Sequence, residues 1–337
     1  MQAVILAGGL GTRLRPITYA RPKALVPLLN RPMILHVLDA LPPAVDEVII
    51  AASYMIEALE AFFSTREGSQ RILLVEEAEP LGTGGALRNL RGTIEGTFLA
   101  LNGDVLSSLD LGQLVAHHRA KGGLGTLALW EVTDPEAYGI VDVDEEGRIQ
   151  RFLEKPSPDE VFSNWINAGA YVLEQGMMDL IPEGRPVSLE REVFPVVLSE
   201  GLYGLSFEGF WSDAGTLEQY LGATRMLLDR RDTGSAREEE VEGEVVPPVA
   251  IPPSTVVLGG SVGPYVSLGE GCRITGAHIS SSVLLDEVVV GEGAVVVDSL
   301  IGDGVTIEQE ALVRGCIVGD GARISAGSQC MAEQVAA

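Results

Sequence analysis

Lysine is nearly missing from this 337-residue chain, which carries it only at Lys23, Lys121 and Lys155 while the other 20 of its 23 cationic residues are arginine. Exposed cations tolerate that exchange, but a site needing a compact, mobile point charge does not, because guanidinium is a larger, rigid fork. Positive charge as a whole is short, with 48 acidic residues and a formal net charge of -25. That excludes broad affinity for nucleic acid or an anionic membrane surface, both of which are bound through clustered cations. Cysteine is scarce: Cys272, Cys316 and Cys330 are widely spaced, with no CxxC pair. Neither a disulfide framework nor a zinc site is implied, and the thiols are read as reduced. Long apolar runs are absent, and the opening MQAVILAGG is too short and lacks the basic flank of a signal peptide, so a cytoplasmic protein is expected. Trp130, Trp165 and Trp211 are scattered as packing residues, and the four histidines, His36, His117, His118 and His278, have no metal-ligand spacing. His36 reads as a structural helix residue, and His117 and His118 as part of an exposed helix.

What is present divides the chain. Its length exceeds what one core usually holds. Short apolar runs at AVILA (3–7), EVIIAA (47–52), RILLVE (71–76), TFLAL (97–101) and TLALWEV (126–132) read as buried strands. Helical patterns at 32–41, 54–63, 82–91 and 110–120 separate them, and such alternation implies a parallel sheet covered on both faces. Beyond residue 138, YGIVDV, RIQRFL and NAGAYVL read as shorter strands, and SLEREVFPVVL has helical spacing. Thr216 with Gln219 makes a capping box for a helix running to Leu228. The acidic run REEEVEGE and two Pro-Pro pairs then mark 229–253 as a linker, with Glu238 to Glu240 solvated.

From 254 to 337 a motif of apolar-Gly-acidic-Gly-x-x-apolar recurs as LGEGCRI, VGEGAVV, IGDGVTI and VGDGARI. Apolar residues fall six apart at Val256, Val262, Leu268 and Ile274, with occasional steps of five. This predicts a left-handed parallel β-helix of hexapeptide turns, each inward side chain stacked on its equivalent in the next coil.

Chemistry concentrates after the first strand. GGLGTRLRP (8–16) lacks both the third glycine of a dinucleotide fingerprint and the GKS/T ending of a P-loop. Its glycines fit two readings equally, backbone N–H groups exposed for a phosphate chain to lie against or a purely structural strand-to-helix turn. Arg13, Arg15, Arg21 and Lys23 lie within eleven residues of a strongly acidic chain, a density that calls for a polyanion.

GGLGTRLRPIT, RPKALVPL, EPLGTGGAL, LNGD, FLEKP, INAGAYVL and FWSDAGT, in that order, resemble the sugar-phosphate nucleotidyltransferases that make nucleotide sugars. The resemblance covers 1–222, and the trailing hexapeptide repeat is most like the branch acting on GTP and mannose-1-phosphate. It implies an α/β fold: a Rossmann-like nucleotidyltransferase domain (1–228) with a mixed, mainly parallel sheet, then the β-helix. The reaction implied is attack of a sugar-1-phosphate oxygen on the α-phosphorus of a nucleoside triphosphate, releasing pyrophosphate. It further implies that Arg13 and Lys23 grip the triphosphate as catalytic cations, with Leu6, Gly8, Gly9, Gly11, Thr12, Glu77, Gly82 and Thr83 lining the nucleotide. Lys155 takes the sugar phosphate, and Gly139, Glu154 and Asn167 the sugar. Asp104 and Asp213 hold Mg²⁺, a hard ion content with one or two carboxylates. Relatives using pyrimidine nucleotides commonly have Gln where Glu77 stands. A carboxylate only accepts hydrogen bonds, which suits the paired donors of guanine.

Three alternatives stand beside this reading: a glucose-1-phosphate thymidylyl- or uridylyltransferase, an acyltransferase built on the β-helix with His278 as base, and a non-catalytic subunit that senses nucleotide sugars. The expected partners are a nucleoside triphosphate and a sugar-1-phosphate, with no nucleic acid and no membrane, in a homo-oligomer assembled through the β-helix.

Overall fold

A computed structural model describes residues 1–66, 68, 70–231 and 242–336. The acidic run Glu238 to Glu240 lies outside the described residues. Chain contacts divide the protein into two compact units: Met1–Gly9 with Val37–Trp211, and Leu10–His36 with Ser212–Ala337.

The first unit is built on strands β1 (Gln2–Leu6), β2 (Glu47–Ala52), β3 (Arg71–Glu76), β4 (Phe98–Asn102), β5 (Gly125–Glu131), β6 (Gly139–Val143), β7 (Ile149–Glu154), β8 (Trp165–Leu173) and β9 (Leu202–Ser206). They form one sheet in the order β7-β6-β8-β4-β1-β2-β3, and β5 joins it by pairing with both β8 and β9. β1 runs parallel to β4 and β2, and β2 parallel to β3. Flanked on both edges, β1 is apolar without alternation, and Ala3, Val4 and Ile5 are wholly buried, as a strand covered on both faces requires. The long strand β8 runs antiparallel to β4 and β5, so the sheet is mixed.

Helices α1 (Met33–Asp39), α2 (Ile56–Ser64), α3 (Gly82–Asn89) and α4 (Leu111–Lys121) match the sequence pattern. α4 begins at Asp110, whose carboxylate accepts hydrogen bonds from the Gly112 and Gln113 amides at 2.8 and 3.2 Å, the capping expected of Asp at this position. One expectation for α4 fails: His118 is not exposed but 2% accessible. Its ring nitrogens contact Thr126 Oγ1 at 3.0 Å and Glu174 Oε1 at 3.1 Å, so the core side of α4 accommodates a histidine because β5 and the end of β8 supply polar partners.

SLEREVFPVVL is not an α-helix either. Leu189–Val193 forms a single π turn, closed by Phe194 N–H donating to the Leu189 carbonyl at 2.7 Å. Pro195 follows at once, and its ring and missing N–H oppose an α-helical continuation.

In the second unit, three parallel ladders close the β-helix. One stacks Glu244–Val245, Ser261–Val262, His278–Ser280, Val295–Val297, Leu312–Arg314 and Gln329–Met331. The next stacks Val249–Ala250 through Gln334–Val335, and the third Val256–Leu258 through Arg323–Ile324. Equivalent residues are mostly 17 apart, as in the pairing of Val262 with Ile279, but 16 apart where Leu268 pairs with Leu284 and Ile274 with Val290. Hexapeptide turns shortened once per coil give the longer period, and a second shortening gives the shorter one. The inward residue of the first turn is Val257, not Val256: Val257 is buried and stacks on Ile274, so the five-residue step precedes Val262. Strands at 244–245 and 249–250 already pair with the following coil, inside the stretch read as linker. The Pro-Pro pairs there fall outside the paired residues, where no ladder donor is needed.

Two polar ladders run beside the apolar stack. Ser282 and Ser299 donate to carbonyls two residues back at 2.7 Å, and accept the N–H of Ser299 and Cys316 at 3.1 Å. Along another corner, Asp286, Asp303 and Asp320 accept through Oδ1 the N–H of Glu270, Asp286 and Asp303 at 2.8, 3.0 and 2.9 Å. Two of the four acidic residues of the repeat, Asp303 and Asp320, are therefore backbone acceptors between coils. Cys272, Cys316 and Cys330 are free thiols, and burial pushes Cys272 up to about 11. Among the described residues no helix is long and apolar enough to cross a membrane.

Ser299→Ala removes the acceptor for the buried Cys316 N–H. We expect a loss of about 1–3 kcal/mol, read from chemical denaturation, while Ser328→Ala on the exposed end stays within about 0.5 kcal/mol.

Candidate functional site

At the carboxyl end of β1 the first unit gathers several of the anticipated residues. Gly103 N–H donates to the Leu6 carbonyl at 3.0 Å, which holds the LNGD turn against the start of the glycine-rich segment. Ser53 Oγ donates to the Gly8 carbonyl at 2.8 Å. A side chain on Gly8 would stand 3.0 Å from Glu77 Oε1, so Glu77 faces this backbone directly. Glu77 is 4% exposed, and its Oε2 accepts from Leu81 N–H at 3.0 Å. Burial raises its carboxyl above the ordinary glutamate value, opposed by that N–H.

Gly82 and Thr83 open α3. Gly82 has φ +72°, and any side chain there would strike the Val187 carbonyl; Gly84 N–H donates to the same oxygen at 2.9 Å. Thr83 Oγ1 donates to Glu190 Oε2 at 2.7 Å and accepts from Leu189 N–H at 2.9 Å. Glu190 also accepts from Ser188 Oγ at 2.7 Å and from the buried Tyr171 hydroxyl at 3.4 Å, and Asn167 Nδ2 donates to that hydroxyl at 2.9 Å. One carboxylate thus joins the segment anticipated for the nucleotide to that anticipated for the sugar.

Glu190 was missed in the sequence because the apolar spacing of SLEREVFPVVL reads as a helix. The signal that could have found it is Pro195, which forbids that helix. The π turn puts Glu190 inward, and such turns recur at functional sites.

Glu154 stands at the end of β7. A side chain on Gly139, its partner across the antiparallel pair, would come within 2.6 Å of Glu154 Oε2; glycine leaves that carboxylate open on one side. Its carboxyl is raised by burial and then by the charge of Glu190, against the pull of Lys155 and Arg191. Lys155 follows in a left-handed conformation, φ +52°, with its N–H on the Tyr138 carbonyl at 2.9 Å.

Gly9 is exposed at the end of this unit's first segment, and Asp104 is half-buried after β4. Asn102, two residues earlier, carries a buried Oδ1 with no hydrogen-bond donor, an oxygen available to a cation or its water.

Gly11, Thr12, Arg13, Lys23 and Asp213 belong to the second unit. Gly11 has φ +61°, and a side chain on it would press on Thr18 and on Lys23 Cβ; Thr18 Oγ1 closes the loop onto the Gly11 carbonyl at 2.9 Å. Lys23 Nζ lies 3.4 Å from the Asp213 carbonyl. Arg13 packs against Gly215, two residues on. The structure thus brings Arg13, Lys23 and the DAGT turn together. It separates the other cations: Arg15 lies over the Tyr19 ring at 5.0 Å, and Arg21 is bound by Asp303 and Asp320. Arg21 therefore does not stand free for a polyanion, because the β-helix already provides its anions. His36 Nε2 contacts the Leu28 carbonyl at 3.1 Å, a structural role. His278 lies in a ladder strand with Nδ1 2.8 Å from Ser261 Oγ of the adjacent coil.

Among the described residues no three His, Cys, Asp or Glu side chains cluster as a metal site. An ion that fills its shell with phosphate oxygens and water needs only one or two carboxylates.

A mixed, mainly parallel sheet whose strand ends carry a glycine-rich turn and buried carboxylates defines an α/β class that binds ligands at that edge. The chain belongs to the nucleotidyl transferase family, whose profile matches residues 2–230, and a profile described as GMPPB C-terminal domain matches 245–336. The chain is similar to mannose-1-phosphate guanylyltransferase of Mycobacterium tuberculosis, 40% identical over 271 residues, covering 78% of this chain and 74% of that protein. It is 43% identical over 237 residues to mannose-1-phosphate guanyltransferase beta-B of Xenopus laevis, covering 68% and 65%. It is 40% identical over 238 residues to mannose-1-phosphate guanylyltransferase 1 of Arabidopsis thaliana, with the same coverages; the matched part spans about two thirds of the length of these last two. Among solved structures, HddC of Yersinia pseudotuberculosis aligns with TM-score 0.56 and 27% identity, over 67% of this chain and 99% of that one.

Glu190→Gln is expected to lower the Glu154 carboxyl toward its ordinary value without reaching it, since burial persists. Carboxyl NMR titration checks this; an unmoved Glu154 contradicts the coupling. With both Glu77 and Glu154 raised, the folded chain holds protons the unfolded chain has released, so these groups subtract from stability as pH climbs above the ordinary glutamate value.

Proposed function

We propose that this chain joins GTP to mannose-1-phosphate, forming GDP-mannose and pyrophosphate. The observation carrying this reading is the common name of relatives from a bacterium, a plant and a frog, each 40–43% identical to this chain. A sugar phosphate oxygen attacks the α-phosphorus of the triphosphate; the bond to the bridging oxygen breaks, and the electron pair leaves with pyrophosphate. Such transfer depends on alignment and neutralisation of charge.

Residues 1–228 form the catalytic domain in this reading, and the β-helix, whose first paired strand is Glu244–Val245, the oligomerising part. Arg13 and Lys23 hold the triphosphate and the departing pyrophosphate, and Lys155 holds the sugar phosphate so that two anions can meet. Leu6, Gly8, Gly9, Gly11, Thr12, Gly82 and Thr83 line the nucleotide, and Glu77 accepts the paired donors of guanine. Gly139, Glu154 and Asn167 take the sugar, with Glu190 fixing Thr83 and Tyr171 between the two substrates. Asp104 and Asp213 hold Mg²⁺, which when bound supplies positive charge to the phosphoryl oxygens.

A panel of GTP, dTTP, UTP and ATP against mannose- and glucose-1-phosphate, read by pyrophosphate release, is expected to favour GTP with mannose-1-phosphate; faster turnover of dTTP or UTP with glucose-1-phosphate defeats the substrate assignment. Lys23→Arg and Lys155→Arg are each expected to cut kcat/KM about 100-fold, the cost of a small misplacement at a reacting centre, while Lys121→Arg on α4 matches the unaltered protein. Asp104→Asn and Asp213→Asn should each lose most turnover, and normal rates in both refute the metal assignment.

A further inference from the structure

The segment that carries Arg13 and Lys23 is fastened to the β-helix, not only to its neighbours in sequence. Arg21 Nη2 donates to Asp303 Oδ2 at 2.6 Å and to Asp320 Oδ2 at 2.5 Å. These partners lie 282 and 299 residues away in the chain. The other oxygen of each aspartate accepts the N–H of the adjacent coil. Both carboxylates are therefore fixed from behind by the stacking of the solenoid and present a rigid rack to a single guanidinium nitrogen. The Arg21 side chain is 18% exposed, so the attraction is less screened than at an open surface.

Two further contacts flank this pair. Pro16 packs on Gly319, the residue before Asp320, where any side chain would come within 2.9 Å of its ring. Asn30 Nδ2 donates to the Leu268 carbonyl at 2.7 Å. Between these points the loop is drawn tight by Thr18 and Gly11, and Gly11 abuts Lys23 Cβ.

We propose that Arg21 is a positioning residue: held by Asp303 and Asp320, it lets the β-helix fix where Lys23 and Arg13 meet the triphosphate. The β-helix then has a part in the chemistry of the nucleotide, beyond any part in assembly. This rests on the proposed triphosphate role of Lys23. Because one nitrogen makes both contacts, an ammonium can replace it, and Lys is tolerated at 21 where Arg is not tolerated at 23.

The test uses the full chain and steady-state pyrophosphate release from GTP, mannose-1-phosphate and Mg²⁺. Arg21→Ala is expected to lower kcat/KM for GTP about 10- to 100-fold, with KM for mannose-1-phosphate changed less than about twofold. The isosteric pair Asp303→Asn with Asp320→Asn keeps the coil geometry and is expected to give the same loss. Combining all three changes should cost no more than either set, since they remove one interaction. Arg21→Lys should recover at least about a third of the activity. Thermal unfolding and light scattering identify any variant that fails to fold, and the Asp→Asn pair then carries the test. Loss spread equally over both substrates, or additive losses, overturns the proposal. Unchanged GTP kinetics in Arg21→Ala, with Lys23→Ala inactive, overturns it while sparing the proposed function. An active Lys23→Ala overturns both the triphosphate role and the inference built on it.

Discussion

The burial of β1 between two parallel neighbours is the constraint on which the candidate site depends. A strand paired on both edges cannot shift register without breaking two ladders of buried backbone hydrogen bonds at once. Its carboxyl end is therefore fixed, and with it the place where the glycine-rich segment leaves the sheet. The LNGD turn after β4 and Glu77 after β3 are brought to that point by the same ladder. A strongly acidic chain has no diffuse positive field to offer an anionic ligand, so whatever cations it has must be supplied locally.

Local supply explains the division of labour among the four cations of residues 13–23. They share one sequence cluster but not one environment. Arg15 is taken by an aromatic ring and Arg21 by two aspartates, while Arg13 and Lys23 lie beside the turn that begins at Asp213. Charge density in the sequence treats the four as one group, whereas two of them already have partners within the protein.

Much of the fold was legible because it rests on local periodicity. Strand runs at β1, β2, β3, β4 and β5, the Thr216–Gln219 capping box of helix α5 (Leu217–Asp229) and the hexapeptide repeat all express themselves within a few residues. The opaque parts were those decided at long range. Glu190 was hidden by a helical pattern that Pro195 cancels, and His118 was read as exposed because its partners, Thr126 and Glu174, lie on other elements. Nothing near Arg21 announces aspartates almost three hundred residues further on. The inward register of Val257 was lost by one residue because a five-residue step, invisible in a single turn, comes first in its coil.

Lys155 occupies a backbone conformation that a residue with a β-carbon enters at a cost of about 1 kcal/mol or more. Glycine would relieve it freely, but glycine carries no ammonium. The folded chain therefore carries a small backbone cost at this corner together with a side chain that glycine could not supply.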